Sequence, residues 1–238
     1  MTPLDWMLVT VVMFVGAGIQ GGVGFGMNLI AAPILLLIDP RLVPGPAVLA
    51  AAVITLLTAI RDHRGLSLGD VKWAFVGRLP GTGLAIVVLL AVTGSGLSLT
   101  LAAIVLAAVA ISASGVNIRV RPASLLAAGA ASGFMGTISS IGGPPMAVLY
   151  AGEEGVKLRG TLAGFFFLGT FVTIAALVIA GRFGWTEIVL AAGLVPGIVA
   201  GFSLSAQLAR RLDAGHTRAA VLAVSSLAAV SVVLTEVL

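Results

Sequence analysis

From Leu4 to Ile38 the chain runs for 35 residues with Asp5 as its only charge, and midway through that run it reads GGVGFG over residues 21–26. A bilayer core of roughly 30 Å is crossed by about 20 helical residues. As one helix this run would reach about 52 Å at 1.5 Å per residue, more than tilting absorbs. Four glycines in six residues mark the place where such a helix breaks. Division there leaves arms of about 25 Å and 18 Å. The second arm is too short to cross comfortably, so the expected form is a hairpin that returns to the face it entered from.

The remaining sequence has the same character. Apolar segments span 4–38, 44–60, 71–92, 97–116, 122–150, 158–180, 185–204 and 217–238, and the short breaks between them hold nearly all the charge. Only 9% of the 238 residues are charged, against about a quarter in soluble domains, which makes this an integral membrane protein. The runs are continuous and do not alternate, which argues for helices over a β-barrel. Trp6, Trp73 and Trp185 stand at segment starts, where interfacial anchors belong. The chain has no cysteine, which excludes disulfides, thiolate metal sites and thiol nucleophiles. Its basicity, 13 Lys plus Arg against 9 acids, is loop basicity and does not form a nucleic-acid surface. No Lys or Arg precedes Arg41, so no cleavable signal peptide is expected.

An internal repeat organises these segments. Gly77, Pro80 and Gly81 match Gly193, Pro196 and Gly197 at an offset of 116 residues, and Gly18, Gly21 and Gly26 fall opposite Gly133, Gly136 and Gly142 at nearly the same offset. The second long segment is expected to break at SSIGGPP, residues 139–145, because Pro144 and Pro145 suit the first turn of a new helix. If both long segments crossed the membrane once, the loop cations would divide six against six. If both are hairpins, Arg61, Arg64, Lys72, Arg119, Arg121, Lys157, Arg159, Arg210, Arg211 and Arg218 share one side and leave Arg41 and Arg182 opposite. Ten against two obeys the positive-inside rule. The expected fold is therefore an all-α polytopic membrane protein of two repeats, 1–116 and 117–238. Each is a re-entrant or broken hairpin plus three transmembrane helices. Three is odd, so the halves are inverted and both termini lie outside.

In that architecture a site forms near the midplane, where broken helices expose backbone groups that lipid would not tolerate. Helix N-termini carry a partial positive charge and free N–H groups, which suits a small anion. The candidate residues at the first break are Gln20, Gly24, Gly26, Met27 and Asn28; at the second they are Ser139, Ser140, Gly142 and Gly143, with Thr137 nearby. The glycines could equally serve close helix packing, and the polar side chains could satisfy freed backbone groups. Arg78 lies seven residues inside the segment 71–92, where a charge suggests function and a guanidinium matches oxyanions; snorkelling to the headgroups is the alternative. Its repeat partner is Leu194, so a site built on it is asymmetric. His63 and His216 fall in basic loops. Asp70 and Glu187 sit at segment entrances, so no buried carboxylate relay is evident, and coupling would use an entrance acid, a proton on the substrate, or nothing.

The motifs GIQGGVGFGMNLIAAPILLL at 18–37 and GFMGTISSIGGPPMAVLY at 133–150 resemble the two signature motifs of the sulfite exporter TauE/SafE family, also called the toluene sulfonate uptake permeases, and the likeness extends over essentially the whole chain. The resemblance implies a multi-pass permease of the bacterial inner membrane for small sulfur-containing anions such as sulfite, sulfoacetate or other organosulfonates. It also implies lipid as a partner, a proton as a coupling ion, and room for a homo-oligomer, with no cofactor, metal or nucleic acid. The second motif departs from the usual glycine-rich form, with Ser139 and Ser140 before Gly142 and two prolines after Gly143. An enzyme would need more than Ser139 and Ser140, which have no His or Asp beside them. A retinal-type receptor would need a lysine in a late helix, and Lys72 and Lys157 are in or beside loops. A passive anion channel is the rival that shares these features.

Overall fold

The computed structural model describes residues 1–92, 95–116 and 118–211, and among these every regular element is helical. The helices are α1 (Pro3–Val23), α2 (Met27–Ile38), α3 (Gly45–Arg61), α4 (Leu68–Ala91), α5 (Ser95–Ala113), α6 (Pro122–Ser139), α7 (Gly143–Leu149), α8 (Gly155–Ile179) and α9 (Trp185–Arg211). The last apolar segment, 217–238, together with His216, lies outside the described residues. Four of the described helices, Pro3–Val23, Leu68–Ala91, Gly155–Ile179 and Trp185–Gln207, are long and apolar enough to cross a membrane.

Local chemistry sets the helix ends. Asp5, the one charge of the first run, closes a capping box: its amide donates to Thr2 Oγ1 at 3.2 Å while its carboxylate accepts from the Thr2 amide at 2.6 Å. This satisfies two of the N–H groups a helix start leaves open. At the other end α1 stops at Gly24, whose φ of 104° places it in the left-handed region, and the chain reverses through Gly26, φ 111°. Side chains rarely adopt that region. The long second segment also breaks where expected, with α6 ending at Ser139 and α7 starting at Gly143 after Ser140 at φ 62°.

The helices pack through glycine. A Cβ on Gly77 or Gly81 of α4 would strike the backbone of Leu126 or Ala130 of α6, and one on Gly129 or Gly133 of α6 would strike Ala74 or Arg78 of α4. The two helices run parallel with their backbones in contact, a close approach that four-residue spacing of small residues permits. The repeat-related Gly197 of α9 behaves likewise, facing Thr10 of α1, and Gly201 one turn on faces Phe14. Thus the repeated Gly-x-x-Pro-Gly core is a helix-packing surface, and in each case it grips the first arm of a broken element. Trp6 also belongs to that contact, for its ring covers Gly193, whereas Trp73 and Trp185 are exposed. Leu84, Val87 and Leu90 of α4 and Phe171, Val178 and Ile179 of α8 stand out from the bundle, as a lipid-facing surface requires.

Gly81→Ala is expected to cost about 1–3 kcal/mol, because a well-packed contact must be forced apart. Gly83→Ala, two residues on, meets no atom within 4 Å and should leave stability unchanged or raised. Thermal unfolding of the two purified variants in detergent checks this; equal loss from both would show that the α4–α6 contact is not close.

Candidate functional site

The breaks expose main-chain groups deep in apolar surroundings, where each unpaired one costs several kcal/mol, and side chains at the breaks take them up. The Met27 amide donates to Gln20 Oε1 at 3.1 Å. Ser139 Oγ accepts from the Ile141 amide at 3.2 Å, and Ser132 Oγ donates to the Gly142 carbonyl at 2.7 Å. One bond joins the two breaks across 112 residues of sequence: Asn28 Nδ2 donates to the Ser140 carbonyl at 3.1 Å.

Between the breaks is a cavity of about 70 Å³, room for a few water molecules or one small oxyanion. Of the ten residues expected at the site, Gln20, Gly26, Asn28, Arg78, Ser140, Gly142 and Gly143 line it. Gly24, Met27 and Ser139 do not. Gly24 turns the chain against Leu158 and Arg159, Met27 is wholly buried beside Gly16, and Ser139 Oγ is bonded to the Met135 carbonyl as well as to Ile141.

Arg78 is 4% exposed, so it does not snorkel to the surface. Its Nη2 donates to Thr173 Oγ1 at 2.9 Å, and its guanidinium lies 5.2 Å from the centre of the Phe165 ring. Thr173 is in turn bonded to Thr137 at 3.3 Å. No described carboxylate pairs with Arg78, and its Nε and Nη1 have no hydrogen-bond partner among the described residues; neither has Asn28 Oδ1. Gly169 of α8 makes room for it, since a Cβ there would fall within 2.5 Å of the guanidinium carbon. A buried guanidinium stays charged and needs a counter-charge.

The family model for the sulfite exporters TauE/SafE matches residues 8–232. The chain belongs to this family. TauE/SafE proteins are membrane transporters, in keeping with the apolar helices found here. No curated protein and no solved structure gives a significant match.

In this TauE/SafE protein the cavity wall also includes residues that sequence reasoning passed over: Thr55 of α3, Phe166 and Thr170 of α8, and Phe25 between the breaks. A threonine within an apolar span is the signal that could have found two of them. A second omission concerns the arginines counted as loop charges. Arg61 and Arg159 donate to the carbonyls of Gly21 and Gly22, at 2.5 and 3.4 Å, and so cap the C-terminal end of α1, where cations complement the helix dipole. Both are held by Asp62, at 2.9 Å each, and Arg61 also lies over the Phe202 ring of α9 at 4.9 Å. Arg182 caps α4 in the same way, donating to the Val92 carbonyl at 2.9 Å.

Burial alone would raise the Asp62 carboxyl, but hydrogen bonds from Arg159 and Arg61 outweigh it and hold the group below the usual carboxylate range. Its contribution to stability is therefore complete above about pH 4 and fades as pH falls through the lowered value. Asp62→Asn, which leaves two cations beside a carboxamide, is expected to cost on the order of 2–3 kcal/mol at neutral pH and to flatten the acid limb of the stability profile. Thermal unfolding between pH 3 and 7 measures both effects; an unaltered acid limb would assign the acid sensitivity to another group.

Proposed function

We propose that this protein transports small sulfur oxyanions, sulfite and organosulfonates such as sulfoacetate, across the bacterial inner membrane, and that the anion binds between the two helix breaks. The observation that carries this reading is Arg78: a charged, unpaired guanidinium buried in the cavity wall inside a protein of an anion-exporter family. An anion in the cavity supplies the missing counter-charge. Gln20 Nε2 adds a neutral donor.

The inverted, two-half layout, residues 1–116 and 117–238, is part of the same reading. Several contacts support it. Gly45, which opens α3, packs against Phe183 and Glu187, so α2 returns to the end of the bundle where α9 begins. Tyr150, which follows α7, donates to Asp70 in the first turn of α4 at 3.0 Å, so α7 returns to the opposite end, where α4 and α6 begin. One broken element enters from each face. In this reading Arg61, Arg64, Lys72, Arg119, Arg121, Lys157 and Arg159 lie at one end and Arg41 and Arg182 at the other, the asymmetry expected of a cytoplasmic and an outer face.

Two experiments test these statements. Arg78→Gln removes a charge-assisted bond of about 1.5–3 kcal/mol, so sulfite affinity should fall about tenfold to a hundredfold while the melting temperature of the unliganded protein holds or rises. Unchanged affinity, with uptake of labelled sulfite into proteoliposomes intact, would remove Arg78 from the site; trans-stimulated uptake there separates a carrier from a passive channel. Arg64→Cys and Glu154→Cys, made in a chain without native cysteine, should both react only with reagents that reach the cytoplasm. Labelling from opposite faces would end the hairpin topology.

A further inference from the structure

We propose that sulfite, among the anions named above, enters the cavity in the singly charged form that still carries one proton, as hydrogensulfite and not as the dianion, so that the substrate itself brings a proton into the site. This rests on the functional reading above and concerns the protonation state of the ligand.

The inventory of the wall is unusual for an anion site. Arg78 is the one charged side chain among its described residues, which include no Asp, Glu or His. A single positive charge in apolar surroundings is balanced by a single negative one; a dianion would leave one charge unpaired where burial is most costly. Hydrogen-bonding capacity points the same way. Thr55 Oγ1 donates to the carbonyls of Ala51 and Ala52 at 3.0 Å, Thr170 Oγ1 to Phe166 at 3.0 Å, and Ser140 Oγ to Ser139. Their protons are spent on the backbone, so each hydroxyl has only lone pairs to offer a ligand. Asn28 is also turned as an acceptor: its Nδ2 is committed to the Ser140 carbonyl, which leaves Oδ1 without a partner. Arg78 and Gln20 donate, while Asn28, Thr55, Thr170 and Ser140 accept.

An ion that is nothing but lone pairs would set its oxygens against those acceptors. An oxyanion with one O–H satisfies both sets, with its charged oxygens toward Arg78 and its hydroxyl toward Asn28 Oδ1. The other charged groups nearby are occupied elsewhere. Arg61 and Arg159 are paired with Asp62 at the end of α1, and Asp70 is bonded to Tyr150 beyond α7. The acid–base step across this pH range thus belongs to the ligand: loss of its O–H proton to water converts the bound species into one the wall disfavours.

The test is direct binding of sulfite to the purified full chain by calorimetry, across the second ionisation of sulfurous acid, with chlorate as comparator. Chlorate has the pyramidal trioxide shape and a single charge but no O–H. Above that ionisation the apparent sulfite affinity should fall about tenfold per pH unit, chlorate should bind at least about tenfold more weakly than hydrogensulfite with no pH dependence, and Thr55→Val with Thr170→Val should narrow the gap between the two. Asn28→Leu should narrow it as well; if that variant does not fold, the wild-type pH profile and the chlorate ratio decide. Sulfite affinity that is flat or rises with pH, or chlorate binding as tight as hydrogensulfite, would overturn the inference and leave the anion site standing. Binding of neither ion at any pH would overturn the functional reading along with it.

Discussion

A broken helix inside a bilayer must pair its own backbone, and in this chain that requirement shapes everything around the two interruptions. Lipid cannot take up the loose N–H and C=O groups, so each break is furnished with side chains that do it: Gln20 for Met27, Ser139 for Ile141, Ser132 for Gly142, and Asn28 for the carbonyl of the opposite break. The last of these makes the two interruptions one structural unit. At the far end of α1 the same demand is met by Arg61 and Arg159, whose charges are tolerated because Asp62 balances them.

Holding those breaks in place falls to glycine. The α4–α6 and α9–α1 contacts bring backbones together at Gly77, Gly81, Gly129, Gly197 and Gly201, so that an unbroken helix from late in the chain braces an interrupted one from its beginning, and the reverse. Small residues are the means because apolar side chains gain little by leaving lipid for protein; dispersion at close range does the work. Arg78 sits on this contact, with its carbonyl against Gly133 and its guanidinium accommodated by Gly169. The packing that binds α4 to α6 therefore also aims the charge at the cavity.

The site that results is built from scarcity. Among the described residues one cation, a neutral amide donor and several committed hydroxyls face a volume of about 70 Å³. Holding the Arg78 charge without a carboxylate partner among the described residues carries a standing cost, which under the proposed function a transported anion relieves.

Much of this was legible in the linear sequence. Run length and glycine content put the first break within 21–26 and paired prolines put the second within 139–145, and the helices part at 24–26 and 140–142, because a hydrophobic thickness and the steric demands of positive φ act on local sequence. The all-helical membrane class followed from composition, and the paired motifs pointed to the TauE/SafE family that the comparison of residues 8–232 shows. What the chain order did not disclose were partnerships made across long separations. Arg61 and Arg159 read as loop charges, yet Arg159 meets Asp62 from 97 residues away and Arg61 meets Ser205 from 144. Thr55, Phe166 and Thr170 look like ordinary members of apolar spans until α3 and α8 turn those faces toward the breaks. The glycines at 77 and 193 were visible as a repeat, but only the packed helices show that they close an interface and do not line the cavity. The sequence by itself determined where the helices must stop, since that depends on neighbours along the chain; the tertiary structure alone decided which side chains meet at the stops, since that depends on how the helices are turned against one another.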